Sequence, residues 1–428
     1  QRLVDEYLPL SFSRRHGDPS RPWNTFQILL GGPSGELGTG YEGNWRDIFQ
    51  NWDALLHSFP EYMESVTAKF LNASTVDGFN PYRITDAGID WELPEKGEWA
   101  NLGYWGDHQI AYLHRLLDAE RRFHPGALES RLDRVCFSYA DVPYRIRSYH
   151  QIVDDPKHTI DFDDERQLEI ERRVRALGAD GRLVPDREGM GVHHASLAEK
   201  LIIPALAKIS NLVAGAGIWM NTQRPEWNDA NNALVGNGVS TVTLFHLRHY
   251  VAFLDDLLAG AGFGAVPIGS RVVEWMRALA AAFDAHTHLL DGEITDAGRR
   301  SLLDALGTAF ADYRTAAYDA GPGSPEPVAV EELRRFLTLS GRFLEAGAAG
   351  TTRPDGLFES YVLLHLEPGE ARVAPLYEML EGQVAALADP SMSPEKALDL
   401  VDTLFAGPLY RACLLYTSPS PRDLRQDL

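Results

Sequence analysis

The feature that most constrains this chain is a recurrence of long amphipathic helices in consecutive pairs separated by brief breaks. Apolar residues at helical spacing, read together with caps and breakers, predict twelve helices, at 44–57, 60–72, 105–123, 126–136, 161–177, 195–214, 237–260, 267–288, 294–318, 327–347, 371–388 and 393–406. In the second half the breaks are short and carry Gly, Pro or Asp, as at 260–267, 290–295 and 389–393. Connections of that length make neighbouring helices antiparallel. Antiparallel pairs can bury their apolar stripes against an inner or an outer ring of partners. The expected fold is therefore all-α, an (α/α)6 toroid with long irregular loops on its active face. A superhelical solenoid would use the same pairs, but it would show a repeat of roughly 34–47 residues, and none is visible. A single toroidal domain spanning 1–411 is expected, since open cores seldom grow beyond about 250–300 residues while closed ones do.

After Arg411 the amphipathic pattern stops, and residues 412–428, which include Cys413 and the run Ser418-Pro419-Ser420-Pro421, resemble read-through of an adapter. That tail is expected to be non-native, with a disordered Ser/Pro tail as the alternative. Gln1 reads as a cut edge, so the domain is expected to be incomplete.

Charge narrows the partners. A net charge of -21 opposes binding to nucleic acid or to an anionic membrane surface, and no apolar run reaches the length of a membrane span. The most apolar stretch, 201–218, is interrupted by Lys208, Ser210 and Asn211 and reads as a buried helix. Two cysteines, Cys136 and Cys413, give no disulfide framework, which favours a reducing, cytoplasmic address. A neutral oligosaccharide suits such a surface, with a homodimer as one assembly the sequence allows. No metal or cofactor is expected.

Four long segments, 29–44, 75–103, 145–160 and 219–237, do not fit between tightly paired helices, and long irregular segments in compact domains usually carry function. All four fall before residue 240, as do eight of the nine tryptophans, Trp275 excepted. The active face is expected from this half.

Three of these segments hold chemistry. Gly40-Tyr41-Glu42-Gly43-Asn44-Trp45-Arg46-Asp47 delivers an adjacent cation and anion, which can grip vicinal hydroxyls by donating and accepting. Capping by Asn44 at a helix start is the alternative. The phosphate-loop pattern is absent. Asn80-Pro81-Tyr82-Arg83, Asp90-Trp91-Glu92, Trp99 and Gly103-Tyr104-Trp105-Gly106-Asp107-His108 place aromatic rings beside Arg, His and carboxylates, as a saccharide cleft requires. Gln223-Arg224-Pro225-Glu226-Trp227-Asn228-Asp229 sets two carboxylates beside an indole, where desolvation raises a carboxyl pKa and keeps a proton available for a leaving oxygen. Capping is again the alternative. His193-His194 is a lesser candidate for binding phosphate.

At these loops the sequence resembles the inverting disaccharide phosphorylases typified by cellobiose phosphorylase and, more broadly, the six-hairpin glycosidases. Glu226-Trp227-Asn228-Asp229 is similar to that family's D-W-N-D, whose last Asp is the general acid, which implies Asp229 in that role. Trp105-Gly106-Asp107-His108 looks like its S-D-D-H segment, implying sugar contact at Asp107, and residues 43–47 resemble its Y-R-G-x-N-R-D loop, implying sugar contacts at Arg46 and Asp47. Glu42, Trp45 and Gly106 depart from the pattern, so the sugar identity does not carry over.

The expected activity is cleavage of a glycosidic bond with inversion. In phosphorolysis, inorganic phosphate attacks as co-substrate and the protein supplies cations around it, His194 or Arg224 among them. In hydrolysis a second carboxylate, drawn from Glu226, Asp47, Asp90 and Glu92, activates water at roughly 6.5–9.5 Å from the acid. Arg83, Trp105, His108, Trp227 and Asn228 complete the expected saccharide contacts. A non-catalytic saccharide-binding protein is the third reading.

Overall fold

A computed structural model describes residues 27–31, 37–81, 83–85, 88–94, 103–104, 109–189, 191–222, 234, 236–292 and 294–410, and of residues 27–51 it describes the side chains of Trp45, Ile48 and Phe49 alone. Strands β1 (Gln27–Gly31) and β2 (Leu37–Asn44) lead into α1 (Trp45–Leu56) and α2 (Met63–Asn72), and β3 (Arg83–Thr85) and β4 (Gly88–Asp90) complete an antiparallel meander with them. Next come α3 (Gln109–Phe123), β5 (Val135–Phe137), β6 (Tyr144–Ile146), α4 (Tyr149–Asp154), β7 (Ile160–Phe162) and α5 (Asp164–Leu177). The centre of the chain forms β8 (Ala195–Ser196), α6 (Leu197–Ile209), β9 (Leu212–Val213), β10 (Gly217–Trp219), β11 (Gly238–Ser240) and α7 (Thr241–Ala259). The remainder runs through β12 (Ala265–Gly269), α8 (Ser270–Ala285), α9 (Asp296–Ala320), β13 (Pro325–Ala329), α10 (Val330–Gly350), β14 (Tyr361–Glu367), β15 (Glu370–Pro375), α11 (Leu380–Leu387) and α12 (Pro394–Ala406).

The all-α toroid is not what forms. The described residues are about half helix, and they contain a five-stranded antiparallel sheet in the order β15-β14-β11-β10-β9. The fold is mixed α and β.

The physical reason lies at the helix starts. Five helices, α1, α6, α7, α8 and α10, are entered directly from a strand with no intervening loop. The expected starts at 195, 237, 267 and 327 fall on strand residues or just ahead of them. Two or three apolar residues in extended form cannot be told from a first helical turn by periodicity. The turn to helix is set by capping: Ser196 accepts from Glu199 N, and Ser240 accepts from Thr243 N.

Two expected helices change character. Within 126–136 only Glu129–Arg131 is helical, as a single 3-10 turn, and Val135–Phe137 pairs with β8. Within 371–388, residues to Pro375 belong to β15, and helix begins at Leu380. Strand β15 pairs with β14 through Glu367↔Glu370, closing a two-residue Pro368-Gly369 loop in which Gly369 has φ +77°. A positive φ favours glycine there.

Helix α6 is the hub. All thirteen of its residues are buried, and it packs against α7, α8 and the β12 strand. Helix α7 lies along α10, and α8 along α9. No helix among the described residues is long and apolar enough to cross a membrane.

Candidate functional site

A cavity of about 490 Å3 opens where the C-terminal end of α9, the first turn of α8, strand β6 and the segments 75–77 and 184–193 meet. Its floor begins at a tight turn after α2. Gly78 has φ +87°, and a Cβ there would lie 2.9 Å from both the Ala207 Cβ and the Ile203 carbonyl of α6. Only glycine allows the chain to approach α6 this closely, and that approach presents the preceding residue, Asp77, to the cavity.

Asp77 is fully buried. The Thr75 hydroxyl contacts its Oδ1, and the Tyr318 hydroxyl donates to its Oδ2 at 2.7 Å. Burial raises its pKa above the usual carboxylate range, against the opposing pull of those two hydroxyls and of Arg314 and Arg145. Tyr318 also accepts from the Ile146 N–H at 3.2 Å, so its ring is held from two sides. Arg145 lies over that ring, 4.7 Å from its centre, and donates through Nε to Asp163 at 3.1 Å. Because Asp77 has no exposed surface and Tyr318 is half-buried, a ligand meets the tyrosine before the carboxyl.

Several other lining groups are paired. Asp141 receives Arg166 through two bonds, at 2.9 and 2.5 Å, and a further one from Arg173. Tyr144 donates to the Glu92 carbonyl at 2.7 Å and tethers the segment after β4. His193 stacks on Tyr139 with ring centres 6.1 Å apart. Its pKa is lowered by burial first, then by His194, Lys200 and Arg187. Beneath it, buried Glu199 accepts from the Tyr139 hydroxyl at 2.5 Å and from Gly269 N at 2.6 Å, while buried Lys200 donates to the Ser74 carbonyl at 3.1 Å. Burial pushes Glu199 up and Lys200 well down, so both are biased toward their neutral forms.

No family model matches this chain, and no curated protein matches it. The site is therefore read from its own residues.

Of the residues expected from sequence, Asp229, Glu226, Arg224, Trp227, Asn228, Trp105, Asp107 and His108 lie outside the described residues. Arg46 and Asp47 occupy the first turn of α1, with their side chains outside the description. Arg83 is on β3, half-buried, with Nε 3.9 Å from Asp90, which also faces Arg182 at 3.7 Å; Arg83 does not line the cavity. His194 is exposed, and its neighbour His193 lines the cavity instead. The expected aromatic face fares differently. Trp45 and Trp91 are buried in the core, Trp45 stacked on Phe49 and Trp91 donating to Gln167 at 2.9 Å, and Trp99 lies outside the described residues. Tyr104 is buried against Phe79 and does line the cavity.

Sequence reasoning missed Asp77, Arg145, Tyr318 and Arg271. Arg271 and Tyr318 come from the second half of the chain, so the cavity is not built from the first half alone. Asp77-Gly78 reads as an ordinary turn dipeptide, and nothing in its neighbours marks it as buried.

Proposed function

We propose that this chain is a carbohydrate-active enzyme that cleaves a glycosidic bond with inversion, by phosphorolysis of a di- or oligosaccharide. The observation that carries the reading is the lining of the cavity, which sets tyrosine rings beside arginines, a histidine and carboxylates within about 490 Å3. Sugars offer apolar C–H faces and hydroxyl rims, and pockets of this size with a few convergent polar groups are the usual form of a small-molecule site.

In this reading Asp229, with Glu226 beside it, protonates the leaving oxygen while phosphate attacks the anomeric carbon from the opposite face. The attacking phosphate carries its own nucleophilic oxygen, so the protein supplies cations and donors rather than a carboxylate base. Tyr318, fixed by Asp77 and Ile146, is the ring on which the sugar stacks.

The test is product release from a panel of oligosaccharides, with and without inorganic phosphate. Release that requires phosphate, and that falls by at least about a hundredfold in Asp229→Asn, is the expected result. Equal rates without phosphate overturn phosphorolysis in favour of an inverting hydrolase. Binding without turnover, unaltered by Asp229→Asn, leaves a saccharide-binding protein and sinks the catalytic reading.

A further inference from the structure

Among the described residues four arginines (Arg145, Arg166, Arg187 and Arg271) and four aspartates (Asp77, Asp141, Asp186 and Asp319) line the cavity, but not every arginine is paired with one of them. Asp141 is closed off by Arg166 and Arg173, and Arg145 is matched by Asp163. Asp77 is satisfied by hydroxyls. Two lining arginines, Arg187 and Arg271, have no carboxylate within ion-pair distance among the described residues.

Both are held in place by neutral groups. Arg271, in the first turn of α8, donates through Nη1 to the carbonyls of Ala320 and Gly321 at 3.2 and 3.1 Å, at the C-terminal end of α9. Arg187 donates to the Ser324 hydroxyl on the same 320–324 turn. That turn is tightly built: Gly323 has φ +98°, and a Cβ there would meet the Ser270 Oγ at 2.4 Å and the Arg271 N at 2.9 Å. The Ser270 and Arg271 N–H groups donate to Ser324 and Pro322 carbonyls at 2.9 and 3.1 Å. One glycine-pinned turn therefore anchors two guanidinium groups, and each keeps further N–H donors after these bonds.

In a chain with net charge -21, two guanidinium groups anchored by neutral acceptors on one turn, with no ion pair of their own among the described residues, mark a place for an anion even with Asp186 and Asp319 in the same lining. The geometry points to a subsite at Arg187 and Arg271 that reads an oxyanion carried by the saccharide itself, such as the carboxylate of a uronic acid. The inference rests on the reading of this cavity as a saccharide site. Two features favour a substituent over a free anion. Arg187 is exposed and Arg271 half-buried, so the pair sits at the rim, where an outward group of a bound sugar passes. Asp319, exposed and without an ion-pair partner among the described residues, lines the same cavity. It would repel a compact dianion, whereas a sugar with a carboxylate on one carbon and hydroxyls on the others uses both kinds of group.

The experiment is direct binding of the full chain to a panel of immobilised oligosaccharides, containing neutral members and their uronate counterparts, with inorganic phosphate as a soluble competitor. Uronate members are expected to bind at least about tenfold tighter than their neutral counterparts. Arg187→Gln and Arg271→Lys should each erase most of that preference, weakening uronate binding by a larger factor than neutral binding. Equal or tighter binding of neutral members overturns the inference, as does an equal loss on both classes in the variants, or no retention of any member. Competition by phosphate that disappears in Arg187→Gln assigns the pair to free phosphate and also overturns it. Binding is read without turnover, so uronate preference in a protein that cleaves nothing would sink the catalytic reading alone. Phosphate-dependent cleavage of uronate members that is indifferent to both arginines would sink this inference alone.

Discussion

At the scale of single residues, Asp77 and Tyr318 are the pair on which the cavity floor depends. Removing the Tyr318 hydroxyl strands the Ile146 N–H and one oxygen of a buried carboxyl. Tyr318→Phe should therefore lower unfolding free energy by about 1–3 kcal/mol, measurable by denaturant melts. The raised pKa of Asp77 gives this cost a pH signature. A carboxyl whose folded pKa lies above its unfolded value adds stability that is present at low pH and is lost as pH rises through the folded pKa. Asp77→Asn keeps a neutral group of the same shape, so its stability relative to the parent should improve as pH rises from acid toward neutral. A difference that stays flat with pH would show that Asp77 ionises in the folded state as it does in the unfolded one. None of this was legible beforehand. The residues around Asp77 are those of a common turn, and its burial comes from α6, more than a hundred positions later in sequence.

At the scale of elements, sequence periodicity located the long helices well and their entrances poorly. Helices α7, α8, α9 and α10 are where the 3.6-residue pattern places them, because each has a sustained buried stripe. The strands were invisible because those among the described residues are only two to eight residues long, and five of them run straight into helix. Pro368-Gly369 is a turn signal that falls between the helices expected at 327–347 and 371–388, and the sequence reading drew no hairpin from it. The junctions make their own prediction: Ser240→Ala, which removes the acceptor for Thr243 N, should cost about 1 kcal/mol. Gly78→Ala, strained by φ and by contact with α6, should cost more, about 2–4 kcal/mol, and should perturb the Asp77 turn. The α3–α7 contact holds a histidine cluster in which the rings of His114 and His249 are 4.0 Å apart, with His246 nearby. Burial lowers His114 to about 3 and His246 to about 4, aided at both by His249, at His114 also by His246 and at His246 also by Arg115, while Asp389 and Asp118 oppose the lowering at His249. Depressed histidines stay neutral when folded and accept protons when unfolded. Their contribution is intact above pH 6.5 and is lost as pH falls toward 4, by up to roughly 1.4 kcal/mol per pH unit for each site. His114→Phe should flatten that decline in an acid titration of the melting temperature.

At the scale of the whole molecule, the expected architecture is corrected, while the function stays a proposal. The closed ring was inferred from pairing alone, and pairing does not say what joins the pairs. Here antiparallel strands do so, through the five-stranded sheet and the β12–β13 ribbon. Charge acts at this scale too. With a net charge of -21, self-repulsion should be relieved by salt, so the melting temperature at pH 7 should rise between low ionic strength and about 0.1 M, where the screening length is about 10 Å.

Helix α6 carries the longest consequence. Sheathed on every side, its amides reach solvent by no local opening that leaves the rest intact, so in deuterium-exchange measurements they should be the slowest and should report the global free energy of unfolding. Since the same helix supports the Asp77 turn and bears Glu199 and Lys200, loosening the cavity and melting the protein should prove to be nearly one event.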